Sequence, residues 1–367
     1  MNKIFIIIGI NFLIILSYHY YKVFQKIFNM YIIETKKDSS KLETYYKICN
    51  KGKLIIKRKF EKMENPKISI ISAVYNREKY ILRFLRSIQN QNFYEIEIIF
   101  VDDFSSDNSV KLIEKYQKED KRIILLKHKK NKGTLISRNE GVFFSKSKYI
   151  ILPDPDDMLS KDILIRCYQI AYKNNYDMIR FNLYLGNNKI FIDSIVDNLE
   201  EGPIHQPKLS RYLFYGKGIL QQIDFNVSNK FLRRITYIKA ISSLNNYYLN
   251  LYMISHEDGL INFLLYRTAK SFYFLKKIGY YYIHNDQSIT LNFRKNHDEE
   301  IRFIFIILIF VFENTKNNKD EKDMANCLFE RLCMEYKDFL LESLNLLTKD
   351  FHYFIHIINQ YLECKFI

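Results

Sequence analysis

Tryptophan is absent, although 29 tyrosines and 29 phenylalanines make the chain strongly aromatic. With isoleucine, lysine and asparagine recurring throughout, that profile reflects coding bias and carries no chemistry of its own. Cysteine is sparse and unpatterned. Cys49, Cys167, Cys327, Cys333 and Cys364 form an odd set without C-x-x-C spacing or paired histidines nearby, so neither a zinc site nor a disulfide framework is readable, and buried thiols are the plain reading. No strictly apolar run reaches the roughly 20 residues that cross a bilayer. No recurrent nucleic-acid motif surrounds the basic clusters at Lys57-Arg58-Lys59 and at 127–132, so nucleic acid is not an expected partner.

What is present is ordinary globular material. The 367 residues are 48% hydrophobic and 26% charged, enough for one large α/β core or two modest ones, and disorder is not the default. A formal net charge of +15 and a pI near 9.3 point to an anionic partner, a membrane surface or a phosphorylated small molecule among them. One glycosylation sequon, Asn226-Val227-Ser228, is of a kind that arises by chance at this length.

Residues 4–16 are apolar except for Asn11, and Tyr18, Tyr20 and Tyr21 follow before Lys22 and Lys26. Counted through Val23, the stretch is long enough to span a bilayer behind an interfacial tyrosine belt, so residues 1–26 are expected to be a membrane anchor, with a signal segment as the rival reading. No small-x-small cleavage site follows. Lys3 and the amino terminus balance Lys22 and Lys26, which leaves topology open; the expectation is a single anchor in an endomembrane of the ER or Golgi. Residues 27–65 read as a basic stem or linker. A second apolar run at 303–312 is too short for a span and is expected to be a buried helix in a helical region at 296–367.

From Lys67 onward, short β-branched runs alternate with amphipathic stretches. Strands are expected at 68–74, 96–101, 123–126 and 149–152, with helices at 79–89, 107–118 and 135–145. The first helix sets Ile81, Leu82, Leu85 and Ile88 inward, and the second sets Val110, Ile113 and Tyr116. Such alternation predicts βαβ units around a mostly parallel sheet. In open parallel sheets the ligand lies beyond the carboxyl ends of the strands. Three polar clusters fall there: Tyr75-Asn76-Arg77, Asp102-Asp103 with Asp107, and Asp154, Asp156 and Asp157.

Crowded carboxylates stay ionised together only if a cation or water separates them. A hard divalent ion, Mg²⁺ or Mn²⁺, takes one or two protein carboxylates plus phosphate oxygens of a substrate, which suits an Asp-x-Asp turn. The bland alternative is a solvated acidic turn capping a helix that starts near Ser160. Two rivals fit poorly. A phosphatase-type D-x-D belongs on an early strand, and an EF-hand needs a preceding helix and a Gly where Asn108 stands.

Five blocks in order, ISIISAVYNREKYILRFLRSIQNQ, EIIFVDDFSSDNS, NKGTLISRNEGVFFSKSKYIILPDPDDML, SHEDGLINFLL and YYYIHNDQSIT, resemble the family 2 glycosyltransferases, whose catalytic domain has the GT-A nucleotide-sugar fold. The likeness covers roughly residues 66–290. It implies a catalytic domain over 66–295, with a donor-binding half at 66–185 and an acceptor half at 186–295.

By that resemblance Tyr75 stacks near the nucleobase with Asn76 beside it, Asp103 accepts from the base next to Asp102, and Arg138 contacts phosphate or sugar unless it serves as a helix salt bridge. Asp156 is the main metal ligand, Asp154 lies nearer the ribose or metal waters, and Asp157 supports them. In the Glu257-Asp258 pair Asp258 is the general base, because an acceptor hydroxyl is a poor nucleophile until its proton is taken. His284 is a candidate diphosphate contact, with core packing as its alternative. The implied activity is inverting, metal-dependent transfer of a sugar from a nucleoside diphosphate, most plainly UDP, to a hydroxyl of a glycan or lipid. The competing reading is a catalytically silent, membrane-tethered scaffold. Phe104 and His256 stand where the family often has Gly, and Phe104 disfavours a positive φ.

Overall fold

The computed structural model describes residues 61–187, 191–192, 200–205 and 226–284, together with single positions at 307, 310 and 314. All but those three positions fall in one compact unit, Asp38–Tyr212 with Asp224–Leu291. The expected anchor, most of the stem and the carboxyl-terminal region lie outside the described residues. Among the described residues no helix is long and apolar enough to cross a membrane.

The unit opens with β1 (Ile68–Val74), α1 (Glu78–Gln89), β2 (Ile96–Asp102), α2 (Ser109–Glu119), β3 (Ile123–Lys127), α3 (Thr134–Phe144) and β4 (Tyr149–Ile151). These match the alternating pattern of the sequence to within two residues at each end. β2 is buried along its whole length, and β1 everywhere except Ala73. Helices cover both faces of such strands, which is why their sequences are continuous apolar runs without alternation. Ile81, Phe84, Leu85 and Ile88 of α1 close one side of the core at helical spacing. On α3, Gly141 lets the helix approach the sheet: a Cβ there would run into Ile71 Cγ2.

After β4 come β5 (Met158–Leu159), α4 (Ile163–Asn174), β6 (Met178–Asn187), β7 (Phe191–Ile192), β8 (Gly202–His205), β9 (Lys230–Arg233), α5 (Arg234–Ile241), α6 (Asn246–Leu249), α7 (Glu257–Thr268) and β10 (Ser271–His284). One sheet runs through both expected halves, in the order β3-β2-β1-β4-β9-β6-β10-β5. β1, β2, β3 and β4 pair in parallel, and so do β6 and β10; β9 pairs antiparallel with both β4 and β6. Six strands therefore share one direction. Because β9 runs the other way, the residues leading into it arrive at the same edge as the carboxyl ends of β1 to β4.

The acidic turn after β4 leads into β5, not directly into a helix. α4 begins at Ile163, after Asp162 at φ +67°.

Candidate active site

The loops at the carboxyl ends of β1 and β2 are laced together by short polar side chains. Asn76 sits at φ +52°, and its Oδ1 accepts from the Ser106 and Asp107 amides at 2.8 and 3.3 Å. Asp107 accepts from the Glu78 amide at 3.0 Å and from the Ser109 amide at 2.9 Å, so one carboxylate caps the starts of both α1 and α2. Tyr75, beside this lacing, is 47% exposed. Phe104 adopts φ +68° with an exposed ring. The expected obstacle to a positive φ at this residue is thus met by a strained backbone, in a loop fixed on both sides.

Asp103 turns inward and is buried. Its Oδ1 accepts from the Lys132 amide at 2.7 Å and lies 2.7 Å from His128 Nδ1, while Oδ2 accepts from the Gly133 amide at 2.8 Å. The other ring nitrogen of His128 lies 2.8 Å from Glu140, whose carboxyl is held below the usual range by Lys132 and His128 in spite of partial burial. Both oxygens of Asp103 thus hold the β3–α3 loop. Asp102, also buried, receives the Ser105 amide on Oδ2 at 3.2 Å, and its Oδ1 has no hydrogen-bond partner among the described residues.

That loop delivers α3 against the segment preceding the Glu257-Asp258 pair. Gly133 has φ +89°, and a Cβ on it would meet Met253 O at 2.5 Å and Met253 N at 2.8 Å. Here glycine is required twice over, by conformation and by space. The Thr134 amide donates to Met253 O at 2.7 Å.

Arg138, one turn further along α3, is 3% exposed and gathers three acids from two places in the sequence. Nη2 donates to Asp154 Oδ1 at 2.6 Å, and Nη1 donates to Glu257 Oε1 at 2.6 Å and to Asp258 Oδ1. Burial works against the guanidinium charge, but Asp258, Asp154 and Glu257 more than offset it, so its pKa is raised. The acids fare differently, because one cation serves all of them. Burial, resisted by Arg138 and reinforced by Asp258 and Asp154, pushes Glu257 up to about 8. Asp258 is also raised, first by burial and then by Asp154, against the pull of Arg138. Its Oδ2 accepts from the Val227 amide at 3.1 Å, and Ser228 Oγ donates to Asp154 Oδ2 at 3.2 Å. These two contacts come from the run into β9, which the reversed direction of that strand brings to this edge.

The D-x-D turn has its own scaffold. The Tyr280 hydroxyl accepts from the Asp154 amide at 3.0 Å and donates to Asp157 Oδ2 at 2.6 Å; Asp157 Oδ1 accepts from the Ile283 amide at 2.8 Å. Asp157, expected as a supporting metal ligand, therefore commits both oxygens to β10. Burial, with Asp156 and Asp154 nearby, raises it well above the usual carboxylate range, and burial likewise raises Tyr280. Asp156 stays partly open to solvent. Its carboxylate lies 3.5 Å from Arg77 Nε, and its carbonyl accepts from Arg83.

Among the described residues no group of three or more His, Cys, Asp or Glu is arranged to hold a metal ion. Asp154 already accepts from Arg138 and Ser228, so Asp156, partly open to solvent, is the main hard oxygen donor with Asp154 beside it; Mg²⁺ or Mn²⁺ uses one or two such carboxylates when substrate phosphates complete the shell, and the donor set fits an ion that arrives with its substrate and not a closed protein cage.

The structure thus brings Asp103, Asp154, Asp156, Glu257 and Asp258 to one edge, linked through Arg138, Gly133 and Arg77. The side chain of His284 lies outside the described residues. Sequence reasoning missed Tyr280 and Ser228 as supports of Asp154, and His128 as the partner of Asp103. Arg77, directly after Tyr75-Asn76, carried the one available signal, since it closes a polar cluster at a strand end.

An α/β sheet with flanking helices and an acid-rich crevice at one strand edge is the architecture of GT-A proteins. Residues 69–235 match the model of glycosyl transferase family 2. The chain is 27% identical over 278 residues to the GalNAc(5)-diNAcBac-PP-undecaprenol beta-1,3-glucosyltransferase of Campylobacter jejuni, covering 74% of this chain and 80% of that one. To glycosyltransferase GlyG of Streptococcus pneumoniae it is 33% identical over 118 residues, 32% of this chain and 39% of the relative. The chain thus spans about two fifths of that relative's length. In structure it resembles Staphylococcus aureus TarS 1–349 in complex with UDP-GlcNAc, with a TM-score of 0.58 at 20% identity over 77% of this chain and 76% of that one. The match over residues 69–235 and these relatives support a family 2 glycosyltransferase, and the structural likeness shows the same fold.

Proposed function

We propose that the protein transfers a sugar from a nucleoside diphosphate donor, UDP-linked, to a hydroxyl of a glycan or lipid-linked acceptor, with inversion at the anomeric carbon. The observation that carries this reading is Arg138, which joins the D-x-D acid Asp154 to the Glu257-Asp258 pair in one crevice. UDP-GlcNAc bound to TarS and the undecaprenol-linked acceptor named for the Campylobacter relative support the two substrate classes.

In this reading Asp258 takes the proton from the acceptor hydroxyl as that oxygen bonds to the anomeric carbon and the bond from that carbon to the diphosphate oxygen breaks. Inversion needs this one base and a stabilised leaving group. Arg138 and the Val227 amide fix both oxygens of the base, and Glu257 shares the guanidinium. Asp156, with Asp154 beside it, would hold a divalent ion whose charge would stabilise the departing diphosphate. Exposed Tyr75 supplies a stacking face for the base. Asp102 retains an unpaired oxygen and is the better acceptor for a base N–H, since Asp103 is engaged by its own loop. Membrane tethering through residues 1–26 belongs to the same proposal.

Purified protein incubated with a panel of UDP-sugars and Mn²⁺ tests it, with metal-dependent donor hydrolysis or transfer as the expected result. Asp156→Ala is expected to abolish metal-dependent UDP binding, and Asp258→Ala to spare binding and stop transfer. Inactivity with every donor would favour the silent scaffold, and the reverse mutant pattern would exchange the two roles.

A further inference from the structure

The edge of the sheet opposite the crevice carries a surface of a different character. Five of the nine exposed large hydrophobic side chains among the described residues lie there: Tyr172 at 67%, Phe143, Ile235, Phe144 and Tyr94. Phe143 and Phe144 end α3, Tyr94 precedes β2, and Ile235 follows β9, whose reversed direction carries it to this edge. Arg234 ties the end of α3 to the start of β4. The Arg234 side chain donates to the carbonyls of Val142 and Phe143 and to Ser145 Oγ, and its amide donates to the Lys148 carbonyl at 2.9 Å. Beside it, a cavity of about 350 Å³ is lined by Lys67, Lys146 and Lys148 against the single carboxylate of Glu64, with Tyr168 and Tyr172. None of these three lysines forms an ion pair within the described residues. Lys148 instead lies 5.4 Å from the centre of the Tyr149 ring.

We propose that this edge is a docking face for an anionic phospholipid surface. Half-exposed phenylalanine and isoleucine beside lysines without an ion pair among the described residues is the composition of an interfacial membrane contact, in which rings enter the headgroup region and each lysine near the anionic surface strengthens attachment about fivefold. A small soluble anion would occupy the lysine and tyrosine cavity but leave Phe143, Phe144 and Ile235 in water. The chain also enters the described unit at this edge, through residues 61–66, with the apolar residues 4–16 upstream in sequence. The inference does not depend on the transfer reading.

The lack of tryptophan makes the test direct, because one introduced indole reports alone. In the full chain, Phe144→Trp and Tyr172→Trp are each expected to blue-shift and to lose about half of their emission or more on vesicles of brominated phosphatidylcholine containing about 30% phosphatidylglycerol. Phe104→Trp, at the opposite edge, is expected to stay unquenched. Adding Lys146→Glu and Lys148→Glu to the Phe144→Trp protein should remove its quenching with no change in thermal midpoint. Unquenched indoles at both 144 and 172 would overturn the proposal even if the protein floats with vesicles, since tethering would then act without this face. Equal quenching at 104 and 144 would also overturn it. So would a Tyr172→Trp signal that responds to glucose 1-phosphate and not to vesicles, which would make the cavity a soluble-anion site. UDP binding, measured alongside, reports on the transfer reading separately.

Discussion

Nη1 of Arg138 donates to Oε1 of Glu257 at 2.6 Å across 119 positions of sequence, joining the start of α7 to the middle of α3. Arg138→Ala would leave buried Glu257 and the partly exposed Asp154 and Asp258 without their shared cation; removing one partner of a fully buried ion pair costs about 3–5 kcal/mol, which is the upper bound here. Denaturant unfolding is expected to show a loss within that bound. Arg138→Lys should recover part of it, because an ammonium keeps the charge but not the planar fork that reaches two sites at once. Full recovery with Lys would mean that geometry is unimportant here.

Glu257, Asp258 and Asp157 all hold their protons more tightly folded than unfolded. The folded chain therefore binds more protons than the unfolded one between the ordinary carboxylate range and about 8, the value for Glu257, and stability falls as pH rises through that window. The slope is expected to reach at most about 1.4 kcal/mol per pH unit for each group. Urea midpoints measured from about pH 5 to about pH 9 check this, and a rise across the window would contradict it. The raised Asp258 also predicts a transfer rate that climbs with pH beyond the usual carboxylate range, as the base ionises.

Tyr280→Phe removes a hydroxyl that serves both Asp154 and Asp157, leaving a buried carboxyl oxygen without its donor. The expected cost is about 1–3 kcal/mol. Because the same hydroxyl shapes the D-x-D turn, metal-dependent UDP affinity should fall as well, in a calorimetric titration at a temperature where the variant is folded.

Gly133→Ala is expected to be poorly tolerated, since the added methyl meets the Met253 backbone and the residue stays at φ +89°. Separation of α3 from the segment before Glu257 should reduce transfer more than UDP binding. Equal loss of both would show that the contact only supports the fold.

Phe104→Gly should instead stabilise, by up to about 1 kcal/mol, because it releases a non-glycine residue from φ +68°. The gain is bounded by the extra freedom glycine has in the unfolded chain. A lower thermal midpoint would mean that the exposed ring makes contacts worth more than the strain.

Much of the sheet was legible because β-branched runs buried on both faces can be read as strands without knowing their neighbours. β1 coincides with its expected limits, and α1 differs by one residue at its start. The acids of the site were legible too, since motif order marks residue types at strand ends. What could not be read were contacts set by strand direction. Nothing local distinguishes β9 as antiparallel, yet that reversal brings Val227 and Ser228 to Asp258 and Asp154. Asp157 looked like a third ligand because sequence gives proximity along the chain and not the side on which an oxygen finds Tyr280. Arg138 was placed near the donor, but its hold on acids 16, 119 and 120 positions away belongs to the closed fold alone.

Three carboxylates around one guanidinium cannot balance when all four groups are ionised; two negative charges are left over. Lys230, buried nearby, offsets part of that excess, and protons held on Glu257 and Asp258 offset more, which idles the very group needed to accept one. Net positive charge brought into the crevice would release those protons, so the readiness of the base would be set by what is bound beside it.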